Sequence, residues 1–259
     1  MKEENITDLQ IKGYTILKGW VGEKRLDSIN NKLPKLFNEH KKIREDNNNG
    51  IISEGVAMNV LASDDIFIDF IQEMIDRGLI DSIEKNYFKD TCILNSLTAL
   101  NNIKTESNLF YKKVHRDIRG YSGNIPLLLN LLVMLDDFTI ENGGTLLLPY
   151  SHLKEEEPNK KFWEKNYKQM VGKAGDVIIW NSNIYHASGI NKTPQIRKGL
   201  PITFSLPYYK QLLDYPRAIG YERQNEFSEK TQQILGYHSR VPSTLSEWYS
   251  PQDKRLYKN

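Results

Sequence analysis

The hydrophobic and polar positions of the chain fall into three regions with different spacing. Up to about residue 90, apolar residues recur every three or four positions, which is typical of helices with one buried face. From about 91 to 210, short apolar runs alternate with Gly, Pro, Asn and Asp, a texture that favours strands joined by turns. Helical spacing then returns. We predict one domain, 1–259, with N-terminal elements (1–90), a mainly β core (91–210) and a C-terminal helix and tail (211–259).

The N-terminal region predicts one strand and two helices. Residues 11–18 are expected to form the strand, and regular apolar spacing predicts the first helix over 21–40. The charged stretch 39–50 is expected to be an exposed linker ending in a loop. The second helix is expected to begin at Asp64 or Asp65, since either carboxylate can cap it.

The strand prediction for the core depends on four apolar runs. They are too short for typical helices and are separated by turn residues. The runs are LLLNLLVML (127–135), TLLLP (145–149), DVIIW (176–180) and ITFSL (202–206). A charged insert at 154–169 is expected to carry a short helix.

The C-terminal region predicts one more helix. It spans 227–235, with Ser228 as its N-cap and a glycine just beyond its end. We expect the aromatic side chains of Tyr237, Trp248 and Tyr249 to pack this tail against the core.

Composition narrows the function classes. The chain has 35 basic and 33 acidic side chains and a formal net charge of +2, so it offers no broad attraction to nucleic acid or anionic membranes. No apolar run reaches the roughly 18 residues of a membrane span, and the polar N-terminus is unlike a signal peptide. Cys92 is the single cysteine, which excludes an internal disulfide and favours a reducing, cytoplasmic location. We expect a small-molecule partner and a monomer or homodimer.

The clearest candidate chemistry is the triplet His115-Arg116-Asp117, which follows a predicted strand at 108–114. In extended chain, residues i and i+2 project from the same face, so His115 and Asp117 can present a nitrogen and an oxygen to one ion. One such triplet arises easily by chance. His186 follows another predicted strand, and two histidines with one carboxylate form the facial triad of non-haem Fe(II) oxygenases.

Two further residues extend this constellation. Arg197 lies near the start of the next predicted strand, where its guanidinium can hold a distal carboxylate by paired hydrogen bonds. Ser188, two residues past His186, can add a hydroxyl donor. Taken alone, Arg197 is interpreted as an ordinary solvated loop arginine. It becomes a candidate ligand-binding residue because the two histidines and Asp117 occur in the same sequence.

Together these motifs resemble the phytanoyl-CoA dioxygenase family of Fe(II)/2-oxoglutarate-dependent oxygenases. H-R-D resembles the family's H-x-D. LLLNLLVMLDDFTIENGGTLLLPYSH (127–152) resembles its core strand, L-D-D turn and P-G-S-H signature, and AGDVIIWNSNIYHASGINKTPQIR (174–197) resembles its distal histidine and arginine segment. The motifs occur in the family's order across residues 95–206. The resemblance implies a double-stranded β-helix, that is, a jelly-roll, cupin-like core.

The resemblance also implies a cofactor set and a reaction. Fe(II) is expected to be bound by His115, Asp117 and His186, with 2-oxoglutarate and O2 as cosubstrates. Succinate and CO2 are the expected by-products of hydroxylating a C–H bond of a small metabolite, in a biosynthetic tailoring pathway. Because a carboxylate occupies position 117, oxygen transfer is favoured over halogenation. Desaturation and ring formation stay open.

Roles for the remaining site residues follow from the same resemblance. Arg197 is expected to bind the C5 carboxylate of 2-oxoglutarate, with Ser188 as its helper. Asn102 is expected to reach the cosubstrate, and Tyr121 to border substrate and cosubstrate. One departure is Tyr150, where the family has glycine; a tyrosine requires a negative φ or some strain there.

Other interpretations of the sequence remain open. The jelly roll could serve a cupin-type sugar isomerase or epimerase without redox chemistry, or a non-catalytic binding module. Basic side chains near the H-R-D could bind the phosphates of a CoA substrate, bind a carboxylate, or face water; they are Lys112, Lys113, Arg116 and Arg119. The remaining histidines are expected to be structural or exposed, namely His40, His152 and His238.

Overall fold

The computed structural model describes residues 1–49, 55–104 and 113–255. The α-helices in these residues are α1 (Glu3–Lys12), α2 (Glu23–Asp46), α3 (Ile66–Asp76), α4 (Leu79–Ile83), α5 (Lys160–Asn166), α6 (Tyr215–Ile219), α7 (Glu229–Leu235) and α8 (Leu245–Trp248). The strands are β1 (Tyr14–Leu17), β2 (Val56–Ala57), β3 (Ile93–Leu97), β4 (Ala99–Asn102), β5 (Leu128–Met134), β6 (Leu146–Leu147), β7 (Lys168–Gln169), β8 (Val177–Asn181), β9 (His186–Ala187) and β10 (Arg197–Ser205). Residues 108–112 of the predicted strand 108–114, Lys112 among them, lie outside the described residues, and Lys113 and Val114 are not in a strand.

The strands form two antiparallel sheets. The larger has seven strands in the order β1-β8-β5-β10-β4-β2, with β3 pairing further along β10. The smaller has three strands in the order β7-β6-β9. Within the described residues, neither sheet closes into a barrel. The predicted class, mainly β with flanking helices, is confirmed.

Strand β5 shows how the sheet separates two environments. It is buried along its whole length between β8 and β10. Because side chains alternate across a strand, Leu129 and Val133 pack with the helices, whereas Leu132 and Met134 pack in the interior between the sheets. The functional site described below opens from that interior.

The N-terminal elements correct the prediction of a strand over 11–18. Helix α1 continues through Lys12, and only Tyr14–Leu17 form the strand. Gly13 ends the helix with a left-handed φ of 84°, a conformation that glycine adopts without steric cost. The helix was missed because Leu9 is its one buried residue, so it has no clear apolar stripe.

Helix α2 is longer than predicted. It continues to Asp46 and includes most of the charged stretch expected to be a linker and loop. Exposed pairs four residues apart line this part of the helix, with Lys35 3.6 Å from Glu39 and Lys41 3.8 Å from Glu45. Such pairs give an exposed helix modest support.

Other predicted helices are confirmed. Helix α3 begins after Asp64, whose carboxylate accepts a hydrogen bond from the N–H of Ile66 at 3.0 Å. Helix α5 lies in the charged insert. Helix α7 is capped by Ser228, and Gly236 follows it in the left-handed conformation.

The three aromatic residues that were expected to pack the tail against the core differ in their burial. Tyr237 is buried, as predicted. Trp248 is 53% exposed and Tyr249 is 78% exposed, so the prediction that they pack on the core is wrong.

The described residues contain no helix long and apolar enough to cross a membrane.

Candidate metal and oxo-acid site

Three predicted ligands lie together where the two sheets face each other. His186 begins β9, and His115 pairs with it as an isolated antiparallel bridge. The Nε2 atoms of His115 and His186 lie 3.6 and 3.4 Å from the two carboxylate oxygens of Asp117. Their ligand atoms all lie within 4.8 Å of one another, close enough for one cation to contact each of them.

Backbone carbonyls orient both imidazoles. The Nδ1 of His115 lies 2.8 Å from the carbonyl oxygen of Lys113, and the Nδ1 of His186 lies 3.2 Å from that of Ile184. A carbonyl oxygen only accepts, so each Nδ1 carries the proton and each neutral ring keeps its lone pair on Nε2. Both lone pairs therefore belong to the nitrogens that face Asp117, the tautomer that a metal ligand requires.

His186 and Asp117 have the charge states that metal binding requires. Burial lowers the pKa of His186 to about 4 despite the attraction of Asp117, so this imidazole is neutral at neutral pH. Burial raises the pKa of Asp117, but His186 and His115 outweigh it and hold that pKa below its usual value. Burial lowers the pKa of His115, and Asp117 reverses the effect, so the net shift is upward. Two nitrogens and one carboxylate suit divalent iron.

Arg197 lies beside this cluster, at the start of β10. Its side chain is buried, and its Nη2 donates to the carbonyl oxygen of Gly143 and to the hydroxyl of Ser188, both at 3.0 Å. The guanidinium carbon lies 4.1 Å from the ring centre of Phe138. Ser188 itself lines the central cavity. A buried guanidinium and a hydroxyl on the cavity wall are the donor set that a carboxylate needs.

Asn102 lies next to Arg197 and is not among the described residues that line the central cavity. It pairs with Arg197 across β4 and β10, and its amide nitrogen donates to the carbonyl oxygens of Gly143 at 3.2 Å and Gly189 at 3.0 Å. Asn102 therefore holds two loops in place, and its predicted contact with the cosubstrate stays a prediction.

Glycine is required where those loops meet. Gly143 has a φ of 77°, and a Cβ on it would lie 2.4 Å from the carbonyl oxygen of Gly189. A Cβ on Gly189 would in turn lie 2.4 Å from the carbonyl oxygen of Gly144. The glycines of the E-N-G-G turn thus let two backbones approach each other beside Arg197.

The cluster opens on a cavity of about 300 Å³. Strands of the large sheet provide much of its lining, including Asn95, Leu100, Asn130, Pro201 and Thr203. Outside the His-Asp-His cluster, Arg119 is the charged side chain among the described residues that line the cavity. Most of the wall is apolar or uncharged, so the cavity suits a small organic molecule.

Tyr121 and Arg116 also lie outside the described lining of the cavity. The ring of Tyr121 lies 5.1 Å from the guanidinium carbon of Arg116, and Tyr121 is not among the described residues that line the cavity. Its predicted role stays a prediction. Arg116 donates to backbone carbonyls, including that of Asn183 at 2.7 Å. It therefore does not face a substrate phosphate, and sequence reasoning missed the part it takes in the site.

Tyr150 and His152 connect the signature turn to the N-terminus. Tyr150 has a left-handed φ of 66°, so the strained alternative is the one adopted. Its N–H donates to the carbonyl oxygen of Lys12 at 2.9 Å. The Nε2 of His152 lies 3.2 Å from the carbonyl oxygen of Gln10. His152 is therefore structural, as expected, but it binds α1 instead of its own loop.

The remaining histidines are also distant from the cluster. His40 contacts the hydroxyl of Ser63 at 3.0 Å. His238 contacts the amide oxygen of Gln232 at 3.2 Å. Neither belongs to the His-Asp-His group.

The fold agrees with what comparisons with known proteins show. The HygX structure from Streptomyces hygroscopicus with nickel and 2-oxoglutarate bound aligns with a TM-score of 0.60 at 14% identity, over 82% of this chain and 89% of that one. The epimerase SnoN in complex with Fe3+, alpha ketoglutarate and nogalamycin RO aligns with a TM-score of 0.59 at 14% identity, over 79% and 83%. These likenesses confirm the jelly-roll, cupin-like fold.

Sequence relatives define the family. The model of the phytanoyl-CoA dioxygenase family matches residues 9–199. The uncharacterized protein Rv1501 of Mycobacterium tuberculosis is 30% identical over 209 residues, which is 79% of this chain and 75% of that protein. The dioxygenase andF of Emericella variicolor is 28% identical over 113 residues, 44% of this chain and 39% of that protein.

The chain belongs to the phytanoyl-CoA dioxygenase family. The predicted class of enzyme, an Fe(II)/2-oxoglutarate-dependent dioxygenase, is confirmed. Family membership favours this class over the cupin-type isomerase and the non-catalytic binding module.

Proposed function

We propose that this dioxygenase hydroxylates a C–H bond of a small metabolite, with 2-oxoglutarate and O2 as cosubstrates and succinate and CO2 as by-products. One observation carries the proposal: the cluster of His115, Asp117 and His186 opens on the same cavity that Ser188 lines in front of Arg197. An oxo-acid-dependent oxygenase needs a set of metal ligands and a pair of residues that binds a carboxylate, both close to one cavity. Here these are the His-Asp-His cluster and the pair of Arg197 and Ser188.

The first task of the chain is to hold iron. The Nε2 atoms of His115 and His186 and one carboxylate oxygen of Asp117 are the proposed ligands, and the donor set fits Fe(II). Bound iron would supply the O2 activation and the oxidation of the oxo acid, chemistry that side chains cannot perform. The protein supplies orientation, since hydrogen bonds from both Nδ1 atoms fix the imidazole rings.

The second task is to bind and orient 2-oxoglutarate. We assign its distal carboxylate to Arg197 and Ser188, because a guanidinium and a hydroxyl together donate to both carboxylate oxygens. Asn102 holds the loop of Gly143, and the carbonyl oxygen of Gly143 also accepts a hydrogen bond from Arg197. Asn102 therefore helps to fix the position of the guanidinium. These residues bind the cosubstrate and move no proton.

The third task is to admit the substrate and exclude water. The cavity of about 300 Å³ suits a small molecule, and its lining is mostly apolar or uncharged. Only Arg119 offers a fixed positive charge among the described lining residues. We therefore propose a mainly uncharged substrate. A biosynthetic tailoring role and a cytoplasmic location are part of the proposal. SnoN, described as an epimerase from nogalamycin biosynthesis, shares the fold and supports the former.

The test is succinate formation by the purified protein supplied with Fe(II), 2-oxoglutarate and O2. Turnover is expected to disappear in His115→Ala and Asp117→Ala. His40→Ala is the matched control, because His40 forms a hydrogen bond with Ser63 and does not belong to the cluster. This variant is expected to behave as the unaltered protein. Undiminished turnover in both cluster variants would overturn the proposal. Substrate conversion that survives complete chelation of metal would instead indicate an isomerase.

A further inference from the structure

The arginine between two of the proposed iron ligands binds the backbone of two other segments. Arg116 separates His115 from Asp117, and its side chain turns away from the cavity. Its Nε donates to the carbonyl oxygen of Asn183 at 2.7 Å, and its Nη1 donates to that of Glu155 at 2.9 Å. Arg116 thus joins the H-R-D segment to two parts of the chain that are distant in sequence.

More contacts strengthen the same connection. The Nη2 of Arg116 donates to the carbonyl oxygens of Ser151, at 3.2 Å, and Lys154. The guanidinium carbon lies 4.0 Å from the ring centre of Tyr185, which places the cation over an aromatic face. All four hydrogen bonds end on backbone carbonyls.

These segments lead directly to the third proposed ligand. Asn183 and Tyr185 precede His186 by three residues and one residue. The N–H of Tyr185 also donates to the hydroxyl of Ser151 at 2.9 Å, and that hydroxyl donates to the carbonyl oxygen of Leu148 at 2.7 Å. Arg116 therefore joins the segment that carries His115 and Asp117 to the segment that leads to His186.

Only arginine can make this set of contacts. Its planar group presents five N–H donors in a fixed fork, so one side chain reaches several carbonyls at once. Lysine keeps the charge, but its single ammonium group cannot span the carbonyls of Asn183 and Glu155.

We propose that Arg116 is a positioning residue that holds His115 and Asp117 in register with His186 and thereby sets the affinity of the site for iron. The inference rests on the proposed function, since it assumes that these three residues bind the metal.

Fe(II) affinity of the full-length protein, measured by calorimetry without O2, tests this inference. Arg116→Met is expected to weaken Fe(II) binding roughly 10- to 100-fold, the usual effect of removing a residue that orients metal ligands. It is also expected to change the visible absorption of bound Co(II), which reports ligand geometry. Arg116→Lys is expected to resemble Arg116→Met, because charge alone does not restore the fork.

Arg77→Met is the matched control. Arg77 also lies 4.0 Å from an aromatic ring centre, that of Trp20, and donates to the carbonyl oxygen of Trp20 at 2.6 Å. We expect this variant to lose stability while its Fe(II) affinity and Co(II) absorption stay unchanged.

Two results would overturn the inference on Arg116: Fe(II) affinity in Arg116→Met equal to that of the unaltered protein, or full restoration by Arg116→Lys. If Arg116→Met does not fold, the lysine variant decides by the same titration. A protein in which His115→Ala binds Fe(II) as tightly as the unaltered chain would overturn the proposed function itself, so the two failures are distinguishable.

Discussion

His115 and His186 are paired through their backbones as well as through the cluster. The N–H of His115 donates to the carbonyl oxygen of His186 at 3.0 Å, and the N–H of His186 returns the bond at 2.9 Å. The two ring centres lie 4.3 Å apart. Because an exchanged pair of hydrogen bonds fixes the distance between the backbones of facing residues, this pair brings the two imidazoles together before any metal binds, and the contacts of Arg116 hold the two segments around it.

Arg197 and Ser188 are expected to contribute unequally to cosubstrate binding. Arg197→Lys removes the two-pronged donor, and we expect the KM for 2-oxoglutarate to rise at least tenfold. Ser188→Ala removes one hydrogen bond, worth about 1 kcal/mol, and a rise of about fivefold is expected. Steady-state kinetics with 2-oxoglutarate varied provide the measurement. If Arg197→Lys changed only the KM for the substrate, the assignment of the C5 carboxylate to Arg197 would be wrong.

The free energy of unfolding is expected to depend on pH through the carboxylate of Asp176. Its buried carboxylate accepts from the Nζ of Lys18 at 2.8 Å and from the N–H groups of Gly19 at 2.8 Å and Lys173 at 3.1 Å. Burial raises the pKa of Asp176, but these donors outweigh it and the net shift is downward. A lowered pKa stabilises the fold above the unfolded aspartate value of about 3.9 and ceases to do so as the pH falls through the folded value.

Asp176→Asn is therefore expected to lower the free energy of unfolding at pH 7 by about 1–3 kcal/mol. The difference from the unaltered protein should shrink as the pH falls below about 4. Urea unfolding of both proteins at several pH values measures it. A difference that stays constant between pH 7 and acid would contradict the assignment. Asp137→Asn is the comparison, since Asp137 also pairs with a lysine, Lys173 at 2.7 Å, but at an exposed site where such pairs contribute little.

Gly13 and Gly78 offer a matched test of the contact between α1 and the signature turn. Both have a left-handed φ, 84° and 68°. A Cβ on Gly13 would lie 2.4 Å from the Nδ1 of His152, whereas a Cβ on Gly78 would meet nothing within 4 Å. Gly78→Ala is expected to cost about 1 kcal/mol of backbone strain, and Gly13→Ala is expected to cost a further 1–3 kcal/mol or so of steric overlap.

A double-mutant cycle checks the source of that extra cost. In a His152→Ala background, Gly13→Ala should cost no more than Gly78→Ala, because the overlapping ring is gone. Thermal unfolding of the single and double variants provides the values. Equal costs for the two glycines in the unaltered background would show that His152 simply moves aside.

Tyr150 is expected to be replaceable by glycine with a gain in stability. Its left-handed φ of 66° is strained for a residue with a Cβ, and its side chain is 53% exposed. Tyr150→Gly should raise the free energy of unfolding by about 0.5–1 kcal/mol, the net of strain relief and added chain entropy. Tyr150→Ala keeps the Cβ and should bring no gain. Chemical denaturation compares them, and a glycine variant less stable than the alanine variant would refute the expectation.

The sequence allowed the core strands and the principal site residues to be predicted because their signals are local. Leu128–Met134 lies in an apolar run that is interrupted by Asn130 and bounded by turn residues, and this run between paired strands is buried in the structure. The spacing of His115 and Asp117 likewise follows from the alternation of an extended chain. The order of motifs then indicated which histidine completes the cluster.

Elements that depend on distant contacts could not be predicted in this way. Helix α1 buries only Leu9 and is held at its end by Tyr150 and His152, which are more than a hundred positions away. The hydrogen bonds of Arg116 span 35 to 67 positions. No periodic pattern encodes such partners, because a backbone carbonyl is present at every residue.

The proposed metal ligands and much of the cavity lining come from different parts of the chain. His115 and His186 meet at the edge of the small sheet, whereas residues such as Leu100, Asn130 and Thr203 face the cavity from the large sheet. Substitutions of these large-sheet residues can therefore reshape the space offered to a molecule while leaving the proposed metal ligands in place. A descendant of this chain can acquire a new substrate by mutation of one wall and retain its chemistry on the other.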